Sequence, residues 1–420
     1  MKKLGPGAVF VAAILAVAAI FSISSLQDND ENIPTQVPMA DDTNATAESV
    51  STLVESLNDF SFNFYNQIGT SEDGNVFFSP YSIFTALSMA YEGAKGNTSA
   101  QMKDVLNILQ NDSAMLGSFG RIYNLLNQNQ DGYTISTANA FWAHEDYEFL
   151  QNYLHLLQNF YMAEANELDF GNNVEAAETI NNWIEEQTHD KIKDMIDSSV
   201  LSEMTKLVLT NAIYFKGLWA SPFDPDNTFE SDFELSTGSK VEVEMMSQES
   251  DFNYTETDDL KILELDYAGN NLSMIIVLPK ENNISVAESA INDQNLSDWR
   301  NDFYELEINV QIPQFKFEKK YTLNDLLKEM GITDAFLPGI ADFSGMDGTE
   351  YLYIGTAIHQ SYIEVNEEGT EAAAATAIIM EATAIPDYKE FIADHPFVFL
   401  IQHKETGAIL FMGRVMNPAE

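Results

Sequence analysis

Val365-Asn366-Glu367-Glu368-Gly369-Thr370-Glu371-Ala372-Ala373-Ala374-Ala375-Thr376 lies about fifty residues from the C-terminus of this 420-residue chain. Two local readings compete there. Ala372 to Ala375, followed by an apolar run, has high helix propensity. As a strand, the same stretch would send successive side chains to opposite faces. From Thr370 to Ala382 the even positions are Thr370, Ala372, Ala374, Thr376, Ile378, Met380 and Ala382. None is charged, and the first four are small. Glu371 and Glu381, the only charges, fall on the odd positions. One face could therefore be buried while the other meets water. No proline interrupts the run before Pro386, and Gly369 supplies backbone freedom where such a strand would fold in.

Outward from this stretch, the composition sets bounds. There are 20 Lys plus Arg against 66 Asp plus Glu, a net charge of −46. Nucleic-acid and heparin-type partners need a basic footprint and are excluded. A solvated surface tuned for solubility accounts for the acidity. Hydrophobic residues make up 45% of the chain, which places it with globular rather than disordered sequences. It has no cysteine, so disulfides and thiolate metal sites are impossible.

Met1-Lys2-Lys3 precedes an uncharged stretch to Gln27 with an apolar heart from Ala8 to Phe21. Residues 1–26 read as a signal peptide, or as a membrane anchor if uncleaved. Either way the rest of the chain is expected outside the cytoplasm, secreted or tethered. Residues 27–51 are polar and acidic, with Pro34 and Pro38, and read as a disordered linker. Residues 52–420 contain no second linker and no repeat. Helical spacing recurs up to about Ile196, as at Ser82 to Tyr91 and Ala176 to Gln187. Strand-like runs follow: Lys206 to Phe215, Leu272 to Leu278, Glu307 to Ile312, Phe397 to Gln402 and Ile409 to Val415. That order suggests an α+β fold.

Enzyme signatures are missing. The six histidines, His144, His155, His189, His359, His395 and His403, form no His-Glu-x-x-His motif. There is no Gly-x-Ser-x-Gly elbow and no phosphate loop. Acidic clusters such as Glu256 to Asp259 lack EF-hand spacing. No metal or cofactor is expected.

Several segments together resemble one family, in order and spacing. They are Asn75-Val76-Phe77-Phe78-Ser79-Pro80-Tyr81-Ser82-Ile83, Tyr91-Glu92-Gly93-Ala94-Lys95-Gly96-Asn97-Thr98, Leu209 to Trp219, Ile358-His359-Gln360-Ser361-Tyr362-Ile363-Glu364-Val365, Asp394 to Ile401, and Phe411 to Pro418. With the opening stretch, they identify residues 52–418 as similar to inhibitory serpins. The resemblance implies a single domain, a bundle of helices over three β-sheets with an exposed reactive-centre loop. It implies a hinge at Glu367, Gly369, Thr370, Ala372, Ala374 and Thr376. It implies a polar shutter at Ser79, Ser82, Asn211 and His359, with Trp219 at the breach where insertion begins. Glu367 in the family often pairs with a basic residue. Gln314 takes that place here and cannot form the ion pair.

The implied function is suicide-substrate inhibition of an extracellular serine protease by a non-enzymatic monomer, through a covalent complex. Seventeen residues from the hinge glutamate, the family's usual spacing, the reactive bond falls at Thr383–Ala384; the family varies by a residue or two, which leaves Ala382 or Ala384 open as the residue that leads the cut. No Lys or Arg lies from Glu367 to Asp387, so elastase-like or subtilisin-like targets are expected and trypsin-like ones are not. A non-inhibitory serpin acting as a binding, carrier or storage protein stays open as the alternative.

Overall fold

Helix α1 (Ala47–Ser71) begins where the sequence provides a reciprocal cap. Thr46 Oγ1 accepts from the Ser49 amide at 3.1 Å, and Ser49 Oγ accepts from the Thr46 amide at 2.9 Å. Leu53, Val54, Leu57, Phe60, Phe64 and Ile68 form its buried stripe. In this computed structural model, residues 39–109, 113–127, 132–370 and 389–420 are described. Met39–Glu420 form one compact unit.

The expected linker therefore ends too late in the sequence reading. Residues 39–51 are folded: Ala40 is buried and exchanges two hydrogen bonds with the Asn124 side chain, at 2.8 and 3.0 Å. Polar composition conceals this, because the segment is held largely by hydrogen bonds of its backbone, with the Asn124 side chain at Ala40 and with the Asn159 carbonyl at Asp41, rather than by a long apolar run. The remainder of 27–51, and all of 1–26, lie outside the described residues.

The strands form two hydrogen-bonded networks. The six-stranded sheet runs β10 (Phe315–Thr322), β11 (Ile354–Asn366), β12 (Gly369–Thr370), β4 (Leu207–Leu218), β2 (Tyr133–His144) and β3 (Glu164–Leu168). The nine-stranded sheet runs β1 (Val76–Phe78), β15 (Ile409–Val415), β14 (Phe397–His403), β8 (Leu272–Pro279), β7 (Leu260–Asp266), β6 (Lys240–Glu256), β9 (Tyr304–Pro313) and β13 (Lys389–Ile392), with β5 (Phe229–Glu234) also on β6. The resemblance implies three sheets. Hydrogen bonding joins two of them, because β6 is 17 residues long and is shared: its end pairs β7 while its length pairs β5 and β9. Strands also occur earlier than the helices-then-strands order suggests. β2 is buried on both faces, Ile135, Phe141 and Ala143 in the main core and Ala138, Ala140 and Trp142 in a second cluster. It therefore lacks the period-2 alternation that would reveal it.

The main core fills the space among the two sheets, α1 and helix α2 (Pro80–Gly93). The second cluster lies on the other side of the six-stranded sheet, under helix α3 (Asn173–Gln187). There Ala176, Ala177, Ile180 and Ile184 join a cluster with Val208, Ala212 and Ile358.

The acidity has a structural consequence. Register places Glu230 opposite Glu244, Asp232 opposite Glu242 and Asp251 opposite Glu307. Like charges directly opposed destabilise a sheet by tenths of a kcal/mol per pair, and salt screens them. The melting temperature is expected to rise between about 0.05 and 1 M NaCl. Glu244→Lys should raise it at low salt and reduce its salt dependence. A melting temperature that falls with salt would contradict this.

Candidate functional site

β4 and β11 pair in parallel from Leu207–Ile354 to Tyr214–Tyr362. Beyond Tyr214 they part, and β12 lies between them. It is antiparallel to both: Gly369 faces Leu218 and Asn366, and Thr370 faces Gly217 and Val365. The chain thus leaves β11, reverses at Glu367-Glu368, and re-enters the sheet between β11 and β4. The two residues of β12 occupy the mouth of a slot whose lower part is closed by the β4–β11 pairing.

Side chains hold the mouth. Thr370 is fully buried, and its hydroxyl meets that of Tyr267 at 2.8 Å. Burial pushes the Tyr267 hydroxyl well up, so it stays protonated. Its ring stacks on Trp219 at 4.7 Å. Trp219 Nε1 donates to the Asn366 carbonyl at 3.0 Å, and its amide donates to the Glu368 carbonyl at 2.8 Å. Glu367 Oε1 accepts from Gln314 Nε2 at 2.8 Å and from Thr228 Oγ1 at 2.5 Å. Gln314 therefore clamps Glu367 with a neutral donor. Gly369 has φ +153°, and a Cβ there would stand 2.0 Å from the Gly217 carbonyl oxygen. Only glycine fits this crossing.

The second polar group lies midway along the closed part of the slot. Ser79 caps α2: its Oγ accepts from the Ser82 amide at 3.1 Å and donates to the Leu410 carbonyl at 2.6 Å. His359 Nε2 accepts from the Ser79 amide at 3.1 Å, and Nδ1–H donates to Asn211 Oδ1 at 2.5 Å. Asn211 Nδ2 donates to Ser82 Oγ at 2.6 Å and to Asn139 Oδ1 at 2.5 Å. His359 and Asn211 are also direct partners across the β4–β11 pairing. Every member has a partner, which is the condition for keeping such a group in a core.

These contacts fix the tautomer of His359. A proton on Nε2 would confront the Ser79 N–H. Burial lowers its pKa from 6.5 to about 3. The unfolded chain then binds a proton that the folded chain refuses, so stability is lost as pH falls from about 6.5 toward 3. The slope from this group is at most on the order of 1.4 kcal/mol per pH unit. Thermal scans from pH 7 to pH 4 should show the parent losing more stability than His359→Gln. Equal losses would exclude the buried neutral imidazole.

The structure thus brings Ser79, Ser82, Asn211 and His359 into one cluster. Trp219, Glu367, Gly369 and Thr370 stand at the mouth. Ala372, Ala374, Thr376, Thr383 and Ala384 lie outside the described residues. The sequence reading missed Asn139, Tyr267 and Thr228. Asn139 carried a faint signal, an amide side chain set between Ala138 and the apolar run Ala140-Phe141-Trp142. Tyr267 and Thr228 carried none, since their roles depend on long-range packing. At the far end of the undescribed segment, Lys389 Nζ donates to Glu256 Oε1 at 2.7 Å and holds that carboxyl down at about 2. β13 pairs in parallel with β9 from Lys389–Ile308 to Ile392–Gln311. Among the described residues no group of three or more His, Cys, Asp or Glu could hold a metal.

Comparison with known proteins agrees with this geometry. The profile of the family described as Serpin (serine protease inhibitor) matches residues 55–418. An uncharacterized serpin-like protein of Thermococcus kodakarensis is 43% identical over 373 residues, covering 88% of this chain and 86% of its own. Leukocyte elastase inhibitor A of Mus musculus is 39% identical over 361 residues, covering 83% and 94%. The solved structure of human thyroxine-binding globulin complexed with thyroxine superposes with a TM-score of 0.81 at 30% identity, covering 89% and 100%. The chain belongs to the serpin family and has the serpin fold.

Proposed function

We propose that the protein is a suicide-substrate inhibitor of serine proteases, and that its loop completes the strand that β12 begins. The register of β12 carries the reading. Each further residue steps one position back along β4 and along β11. Ala372 then falls opposite Phe215 and Ile363, and Ala374 opposite Ile213 and Ser361. Thr376 falls between Asn211 and His359, and Met380 opposite Leu207, where β4 begins. Thr376 would replace the Asn211–His359 hydrogen bond with its own hydroxyl, so opening the slot at its polar centre leaves no orphaned group.

The chemistry before insertion is ordinary proteolysis. The protease serine oxygen attacks the Thr383 carbonyl carbon, and the C–N bond to Ala384 breaks. The proton from the serine passes through the protease's histidine to the departing Ala384 amine. An acyl ester on Thr383 results. Insertion carries the ester away before water hydrolyses it.

Thr383 presents a small uncharged side chain, which suits the shallow primary pocket of elastase-like or subtilisin-like enzymes. The similarity to a leukocyte elastase inhibitor supports that class. The partner is a serine protease met outside the cytoplasm, with the inhibitor a monomer, secreted or tethered by residues 1–26.

The decisive experiment mixes the protein with a panel of serine proteases and looks for a complex that survives boiling in detergent. The released peptide should begin at Ala384 by mass spectrometry. Thr383→Arg should shift inhibition from elastase toward trypsin by orders of magnitude, because an Asp-lined primary pocket is left unpaired by the parent residue. Cleavage without a stable complex across the whole panel would favour a binding, carrier or storage role.

A further inference from the structure

Helix α2 ends at a carboxyl that the inhibitory reading does not use. Glu92 sits in its last turn, where the helix carbonyls make a negative end. An anion is disfavoured there, and burial adds to the cost. Glu92 Oε1 is closed off from water without a hydrogen-bond partner among the described residues, and so is the Tyr161 hydroxyl that faces the carboxyl. Tyr161 closes the π-helical turn Leu157–Tyr161, and Met162 after it is left-handed at φ 50°. The Tyr161 ring lies 4.7 Å from that of Phe119, and the Ala163 amide donates back to the Leu157 carbonyl at 3.2 Å. Tyr153 also faces Glu92, with its hydroxyl given to the Met89 carbonyl at 3.0 Å, and Tyr91 acts on Tyr161. Lys95, which is exposed, is the cation that acts on Glu92. On the segment that packs against this end of α2, Asp342 is engaged by Ser344, whose hydroxyl donates to Oδ1 at 2.7 Å.

We propose that Glu92 is a proton-binding site: protonated, it holds the corner between α2 and the π-helical turn closed, and ionised, it lets that corner loosen. The protonated carboxyl can donate to the Tyr161 oxygen and sets no charge against the helix end. The ionised carboxylate keeps only the Tyr161 hydroxyl and an exposed lysine, and turning toward Lys95 and water draws it away from the turn. Burial accordingly raises its pKa from 4.5 to about 7, against smaller opposing pulls from Lys95 and Tyr161. Between those values the folded chain holds a proton that the unfolded chain has lost. The contribution to stability is full below about 4.5 and is lost as pH rises through about 7. His359, bound to the Ser79 end of the same helix, acts with the opposite sign. From about 4.5 to 6.5 the two contributions offset each other, and above that the loss from Glu92 stands uncompensated.

The test compares thermal scans of the full chain, from about pH 5 to about pH 8.5, with those of Glu92→Gln, which keeps the shape of the protonated group. Over that range the parent should lose at least about 2 °C more than the variant. Glu178→Gln, at an exposed carboxyl on α3, should follow the parent throughout. Amide exchange at Ala163 should be faster in the parent than in Glu92→Gln at the upper pH and equal at the lower. Tyr161→Phe should move the parent's transition to higher pH, because the hydroxyl's bond to Glu92 favours the carboxylate. A constant difference in melting temperature between parent and Glu92→Gln across the range overturns the proton site. Equal exchange at Ala163 at the upper pH overturns the loosening. A transition that Tyr161→Phe leaves in place or moves to lower pH overturns the pairing with Tyr161.

Discussion

Ala374→Arg is expected to turn the inhibitor into a substrate. If the loop continues the register of β12 into the slot, position 374 would stand opposite Ile213 and Ser361, on the face that looks into the main core. An arginine there would bury a charge with no partner, at a cost of several kcal/mol. Trapping is a race between insertion and hydrolysis of the acyl ester, and each 1.4 kcal/mol added to the insertion barrier slows it about tenfold. The stoichiometry of inhibition should therefore rise from near one to well above ten. Cleavage at Thr383 should proceed at the parent rate. Glu371→Gln, on the other face near the mouth, should leave the stoichiometry within about twofold. Undiminished trapping by Ala374→Arg would show that the loop does not enter the sheet in this register.

Cutting the loop should raise the melting temperature. Among the described residues of the uncut chain Gly369 and Thr370 stand at the mouth of the slot, and β4 and β11 satisfy each other below them. A strand from residue 371 to 380 between them would exchange one parallel pairing for two antiparallel ones. At a net 0.5–1.5 kcal/mol per hydrogen bond, the gain is on the order of 10 kcal/mol. For a chain of this size that corresponds to at least about 10 °C. Scans before and after limited cleavage test it. Equal melting temperatures would mean that the uncut fold is not held away from a more stable state.

Much of the site was legible in the sequence, and the exceptions have physical causes. The hinge could be read because Gly369 and the small even-numbered residues carry their own constraint. The shutter could be read only through family resemblance: nothing local says that Ser79, Ser82, Asn211 and His359 meet, since they lie on α2, β4 and β11. Asn139 completes that group from a fourth element, and it went unnoticed because a single polar residue in a strand has many explanations. The two-faced picture of the loop also needs amending. α3 covers the outer side of β4 at Val208 and Ala212. The odd-numbered Ala375, Ala377 and Ile379 would lie under that helix.

β13 gives the cut a direction in time. The amine released at Ala384 is five residues from Lys389, and Lys389 is fixed by its pairing with β9 and by the Glu256 carboxylate. In the proposed mechanism the ester on Thr383 would travel the other way, along the twelve residues of β4, roughly 40 Å. The nucleophile that could reseal the peptide bond would then be stranded at one pole while its electrophile waits at the other. Resynthesis, the reverse reaction open to every protease and its products, would be closed to this pair by separation alone. Each molecule would fire once, and what it recorded would be that a protease was there.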